Sequence, residues 1–149
     1  MSSPTMFALD LRDRLVISVG GGAVGTRRVQ DLLTRGARVR VISPVLSEAL
    51  TADVEAQRIE WWSRAYAGPA DLSGAWLVHV ATGHDSIDAA VAADAQTHRI
   101  WCINSSSASC GSARTPARAR LDTRDGPVEV AVSTGRDPRR AAGLRDAVV

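Results

Sequence analysis

Residues 18–29 read SVGGGAVGTRRV, with three consecutive glycines and a fourth three residues later. The run before them, RLVISVG (14–20), is apolar, β-branched and closed by glycine, so it reads as a buried strand. From residue 22 to 35 the period changes. Gly25, Val29, Leu32, Leu33 and Gly36 fall on one helical face, with Gly36 where a helix C-terminus belongs. Gly20, Gly22 and Gly25 therefore match G-x-G-x-x-G between a strand and a helix, the context that gives this motif its meaning. Gly20 permits the tight turn, Gly22 lets a pyrophosphate approach the main chain, and Gly25 lets the helix close on the sheet. The free N–H groups of the first turn, at Ala23 and Val24, and the helix dipole favour an anion there. The alternative is a glycine-rich turn without a ligand.

The same rhythm continues outward. ARVRVIS (37–43) alternates as a second strand, stopped by Pro44, and VLSEALTADVEA reads as a helix. RIEWWS (58–63), AWLVHVAT (75–82) and IWCIN (100–104) are three more expected strands. GPADLSG reads as a loop or a short helical turn. An amphipathic helix over 85–99 follows, with Asp85 and Asp88 near its positive end. Strands alternating with helices imply a parallel sheet covered on both faces, a Rossmann-like doubly wound α/β fold. After residue 104 the alternation breaks. SSSASCGSARTPARA reads as loop, PVEVAVST (127–134) as one further strand, and Asp137–Pro138 as the cap and first residue of a terminal helix. The expected organisation is a dinucleotide-binding domain over 1–112 and a short strand/helix extension over 113–149.

Composition narrows the function. The chain has 149 residues, 45% of them hydrophobic, and a formal net charge of +2. All 18 basic side chains other than histidine are arginine, which suits carboxylate or phosphate recognition. Near-balanced charge without interleaved aromatics argues against nucleic acid. There is no apolar stretch long enough for a transmembrane helix and no signal-peptide pattern, so a cytoplasmic protein is expected. Cys102 and Cys110 fit no zinc spacing, and no metal site is expected. The second strand ends in VRVISPVL, without the acid that ordinarily holds a ribose. Ser43 is the candidate for that bond, and the reading favours NAD over NADP.

Four stretches in order resemble one family. VGGGAVGTRR, VRVISPVL, DLSGAWLVHVATGH and VAVSTGRDPRRAAGLR are similar to the signatures of the dehydrogenase/chelatase module of siroheme synthase, and they cover nearly the whole chain. The resemblance implies NAD-dependent oxidation of precorrin-2 to sirohydrochlorin in siroheme biosynthesis, a cytoplasmic dimer, and in many members insertion of ferrous iron. It implies cofactor contacts at Gly20, Gly22, Ala23, Val24, Gly25, Ser43, Pro44, Thr82, Gly83 and Asn104. Arg114, Ser133, Thr134, Arg136 and Arg139 are expected to contact the carboxylates of a tetrapyrrole. The chain departs from the pattern at two points. The family's catalytic aspartate, counted from Cys102, falls on Ser106, and T-D-D after the fourth strand has become Thr82-Gly83-His84. A serine is not an anionic base and is a poor ferrous ligand, so ferrochelatase activity is doubtful. Ser106 and His84 are the candidate catalytic residues, His84 as acid, base or ligand in the altered site. A loop histidine without function is its alternative. The family continues past the L-R signature, so 113–149 is expected to be a truncated dimerisation segment. Two other readings remain: a paralogue repurposed as an NAD-dependent or metal-handling enzyme on another substrate, and a non-catalytic protein that binds NAD or a tetrapyrrole. His79, within a strand, reads as a satisfied core histidine. Of the adjacent Trp61 and Trp62, which face opposite sides, one is expected in the core.

Overall fold

The computed structural model describes residues 4–135 and 137–149. They fall into two compact units, Leu9–Arg114 and a smaller one built from Thr115–Val149 together with the N-terminal residues up to Ala8.

The larger unit is a five-stranded sheet. Its strands are β1 (Leu15–Val19), β2 (Arg38–Ile42), β3 (Ile59–Trp62), β4 (Leu77–Val80) and β5 (Trp101–Asn104). The order is β3-β2-β1-β4-β5 and every neighbouring pair is parallel. Helices α1 (Ala23–Thr34), α2 (Glu48–Glu55) and α3 (Asp85–Thr97) connect the strands, and a 3-10 turn spans Pro69–Leu72. This is the doubly wound arrangement expected from the alternation.

Strand periodicity sends alternate residues to opposite faces. Ile17 and Val19 of β1 join Val78, Val80, Val91, Ala92, Ala95 and Cys102 in a core beneath α3. Val16 joins Val29, Leu32, Val39, Val41, Leu50 and Ile59 beneath α1 and α2. Both faces are thus sealed over the central strands, which is why β1 and β4 are nearly continuous runs of Val, Ile and Leu. Ser47 caps α2 by accepting from the Leu50 N–H at 3.3 Å. Neither tryptophan of the pair is fully buried. Trp61 Nε1 donates to the Ser43 carbonyl at 2.9 Å, and the Trp62 ring lies between the guanidiniums of Arg40 and Arg64, 4.2 and 4.9 Å from its centroid.

The smaller unit differs from the expected single strand. Ala117–Thr123 forms β6, antiparallel to β7 (Gly126–Val132), and helix α4 (Pro138–Val148) follows. The reading of 105–119 as loop therefore fails from Ala117 onward. ARARLDT does alternate, but its apolar side is only Ala117, Ala119 and Leu121, too small a hydrophobic face to stand out as a strand in the sequence. Asp137 caps α4 as expected, accepting from the Arg140 N–H at 2.9 Å.

Candidate functional site

In an open parallel sheet, ligands bind beyond the carboxyl ends of the strands, where the strand order reverses. Here that point lies between β1 and β4. A cavity of about 580 Å³ opens there, within the larger unit. The segments leaving β1, β2, β4 and β5 all contribute to its lining: Gly20–Val24, Ser43 and Pro44, Ala81–His84, and Ser105 with Ser106.

The glycine turn is built by close approach. Gly20 has φ +110°, and a Cβ placed on it would lie 2.3 Å from the Ala81 carbonyl oxygen. A Cβ on Gly25 would lie 2.4 Å from the Gly20 carbonyl oxygen, so Gly25 serves helix packing and does not line the cavity. Gly22 is different. Its backbone is extended, and an added Cβ would meet nothing within 4 Å. The protein itself gives no reason for glycine at 22, whereas a group resting on the main chain would. Gly22 also starts α1 without a side-chain cap, leaving the first-turn N–H groups free of a side-chain acceptor. These features fit a dinucleotide phosphate. The turn is fixed from below: the Ser47 N–H donates to the Gly21 carbonyl at 2.9 Å, and Thr26 Oγ1 donates to the Gly22 carbonyl at 2.8 Å.

Beside this turn, Ser43 Oγ donates to the Val45 carbonyl at 2.7 Å, which leaves its oxygen able to accept a ribose hydroxyl. Among the described residues no arginine lines the cavity, and Arg40 of β2 is committed to Glu60 at 2.9 Å and to the Trp62 ring.

The opposite wall carries the polar groups. Asp88, in the first turn of α3, is 1% exposed. It accepts from the Thr82 N–H at 3.1 Å, from Thr82 Oγ1 at 2.5 Å, and from the Ser106 hydroxyl. Asn104 does not line the cavity. Its Oδ1 accepts from the N–H groups of Ser106 and Ser107, both at 2.9 Å, and its Nδ2 donates to the Asp88 carbonyl at 3.4 Å. Asn104 thus positions the serine turn against α3. His84 lines the cavity as the N-cap residue of α3, its N–H donating to Thr82 Oγ1 at 3.1 Å.

A second buried group stands behind Ser105. His79 is fully buried in β4, hydrogen-bonded through Nε2 to Ser105 Oγ at 2.7 Å, with Ser18 Oγ at 3.5 Å from Nδ1. Burial, and then the Arg28 charge, lower its pKa to about 4, so the imidazole is neutral near pH 7. The reading of His79 as a satisfied core residue agrees with this placement, and the contact reaching the cavity wall is additional.

Of the sequence-derived candidates, the cavity brings together Gly20, Gly22, Ala23, Val24, Ser43, Pro44, Thr82, Gly83, His84 and Ser106. Arg114 lies in the same unit but not on the cavity wall, its Nη2 lying 3.5 Å from the Ala108 carbonyl oxygen. Ser133, Thr134 and Arg139 belong to the smaller unit, and Arg136 lies outside the described residues. Sequence reasoning placed Asp88 only as a favourable charge at a helix start. The missed signal was its register: Asp88 shares the buried face of α3 with Val91, Ala92 and Ala95, and an acid on an apolar face needs partners. Among the described residues there is no group of three or more His, Cys, Asp or Glu side chains able to hold a metal ion, and no helix is long and apolar enough to cross a membrane.

Comparison with known proteins agrees with this geometry. A family model described as "Putative NAD(P)-binding" matches residues 7–117. Siroheme synthase 1 of Pectobacterium atrosepticum is 42% identical over 82 residues, 55% of this chain and 17% of that protein. Siroheme synthase of Gluconacetobacter diazotrophicus is 34% identical over 135 residues, 86% of this chain and 27% of that protein. The chain spans between 17% and 27% of the length of these two relatives. A solved structure titled "SirC, precorrin-2 dehydrogenase" superposes with a TM-score of 0.80 at 25% identity, covering 97% of this chain and 69% of that one. The fold, the glycine turn and these likenesses agree, and the chain belongs to the NAD(P)-binding family of the siroheme synthase N-terminal module.

Proposed function

We propose that this chain is an NAD-dependent dehydrogenase of the siroheme pathway, oxidising a reduced tetrapyrrole of the precorrin-2 class. The observation that carries the reading is Gly22, a glycine with open space above it at the start of an uncapped helix in a cavity beyond β1 and β4. The likeness to a precorrin-2 dehydrogenase structure supplies the substrate class.

A bound nicotinamide supplies the hydride acceptor. The chain's own residues do the rest. The N–H groups of the first turn of α1 hold the diphosphate. Ser43 accepts from the adenosine ribose, and the engagement of Arg40 with Glu60 and the Trp62 ring favours NAD over its 2′-phosphorylated form. Thr82, His84, Ser105 and Ser106 form the polar wall facing the reacting groups. Arg114 and Arg139 are assigned to substrate carboxylates. Ferrous insertion is expected to be weak, because a serine hydroxyl is a poor ligand for that ion.

The test is to supply purified protein with NAD and precorrin-2 and follow sirohydrochlorin absorbance together with NADH formation. Stoichiometric appearance of both is expected. Retained NAD affinity without turnover would replace this reading with that of a non-catalytic NAD-binding or tetrapyrrole-binding protein. Iron insertion clearly faster than the spontaneous rate would overturn the ferrochelatase expectation. Arg114→Ala and Arg139→Ala are each expected to raise the KM for the tetrapyrrole and leave NAD affinity unchanged.

A further inference from the structure

Asp88 is buried, acidic and bonded to two hydroxyls on the cavity wall, and the proposed function leaves it without a role. We propose that Asp88 is the anion of this site: it turns the Thr82 and Ser106 oxygens toward the cavity and accepts, through Ser106, the proton released by the oxidised substrate. The inference rests on the dehydrogenase reading above and deepens it.

The geometry restricts what Asp88 can do. At 1% exposure it cannot touch a ligand itself. Both of its carboxylate oxygens are nevertheless spent on cavity-lining groups, Oδ1 on Thr82 and Oδ2 on Ser106. A hydroxyl that donates to a carboxylate directs its lone pairs away from it. Ser106 therefore presents an acceptor oxygen, and Thr82 the one lone pair that the His84 N–H leaves, both backed by a buried negative charge in a low-dielectric setting. Such a wall favours a cation, whether an oxidised nicotinamide ring or a substrate from which hydride is leaving. Ser106 alone has no anionic form at neutral pH, and the carboxylate behind it supplies one.

The step balances as follows. A C–H bond of the substrate breaks with its electron pair, which passes as hydride to the nicotinamide: substrate oxidised, dinucleotide reduced. The cationic product then releases one proton to Ser106 Oγ as the Ser106 hydroxyl proton moves to Asp88 Oδ2. Once the product has left, Asp88 returns the proton by the same route, through Ser106 Oγ on the cavity wall.

Several groups face Asp88. His79 on β4 and Cys102 on β5 sense its charge, and Asn104 of β5 contacts its main chain. On α3 itself Asp85 and His84 are near in sequence. The 3-10 turn, which packs against α3, carries Asp71, and that carboxylate is paired with Arg64. His79 is neutral near pH 7 and Cys102 is a thiol, so neither cancels the carboxylate.

The test uses the full chain with NAD+, NADH and precorrin-2. Asp88→Asn keeps the size of the side chain and removes its charge. It is expected to weaken NAD+ about tenfold relative to NADH, and to lower kcat about 100-fold with the tetrapyrrole KM held. Ser106→Ala should lower kcat while keeping the NAD+ preference. Ser106→Asp puts a carboxylate directly on the cavity wall and should keep turnover that Ser106→Ala loses. It serves as the second variant should Asp88→Asn not fold, and turnover there no better than that of Ser106→Ala overturns the proposal. So does an Asp88→Asn variant whose kcat matches the parent, or one that weakens both dinucleotides alike, which is a packing effect. Absence of parental turnover at every pH overturns the dehydrogenase reading and the proton step together, and the NAD+ to NADH ratio then decides the electrostatic role of Asp88 by itself.

Discussion

Gly20 and Gly22 stand two residues apart and answer to different neighbours. At Gly20 the positive φ and the Ala81 carbonyl, 2.3 Å from any Cβ, forbid a side chain for reasons internal to the chain. Gly20→Ala is therefore expected to cost about 2–3 kcal/mol or more, read as a lower urea midpoint, and binding falls with the fold. At Gly22 an added side chain meets only the cavity. Gly22→Val should lower stability by no more than about 1 kcal/mol, valine being a poorer helix N-cap, and lose NAD affinity by about tenfold or more. A Gly22→Val protein that binds NAD normally would remove the diphosphate from this turn. His79 makes a pH prediction of definite sign. Burial holds its folded pKa near 4, below the ordinary 6.5, so between these values the unfolded chain binds the extra proton. The contribution is complete above pH 6.5 and is lost as pH falls toward 4, by up to about 3 kcal/mol. Urea titrations at pH 7 and pH 4.5 should show this loss in the parent and a smaller one in His79→Gln.

Elements carry the site as well as residues do. The segment after β3 lines the cavity through Ala65 and Tyr66, and one ion pair fixes it. Arg64 Nη1 and Nη2 donate to the two Asp71 oxygens, each at 2.7 Å, while the Ala67 N–H donates to Oδ2 at 2.8 Å. These donors, Arg64 foremost, hold the Asp71 carboxyl below its usual range. Asp71→Asn should lower stability by about 1–3 kcal/mol at pH 7, since half-exposed Arg64 can turn to water. Because the pKa is depressed, the difference between parent and variant should shrink as pH falls through the acidic range. The same scale explains what could be read from sequence. β1 and β4 announce themselves as β-branched runs because both faces of the sheet are covered there, β2 by its alternation of Arg and Val, and the glycine turn by its spacing between strand and helix. β6 does not, since the apolar side of its alternation is only Ala117, Ala119 and Leu121, all no more than partly buried. Asp88 was visible in the sequence as an acid, but its meaning depends on Ser106, 18 residues away, and only the fold brings that hydroxyl to its carboxylate.

At the scale of the molecule the two units are unequal in what they bury. Of the fully buried apolar side chains among the described residues, all lie within Leu9–Arg114 except Ala141 of α4. The larger unit thus has two sealed cores and every residue of the cavity lining. A two-stranded ribbon with one helix and a single buried alanine has little to offset the entropy of ordering its chain. The expectation is asymmetric. A fragment limited to Leu9–Arg114 should fold cooperatively and bind NAD with a Kd within about threefold of the full chain, because the diphosphate turn, Ser43 and the polar wall are all inside it. The fragment 115–149 should show a disordered circular dichroism spectrum and no cooperative melt. Oxidation separates the larger fragment from the whole. If Arg139 binds the substrate's carboxylates, the fragment should keep the dinucleotide and show a raised tetrapyrrole KM. An unchanged KM would confine substrate recognition to the α/β unit and remove Arg139 from it.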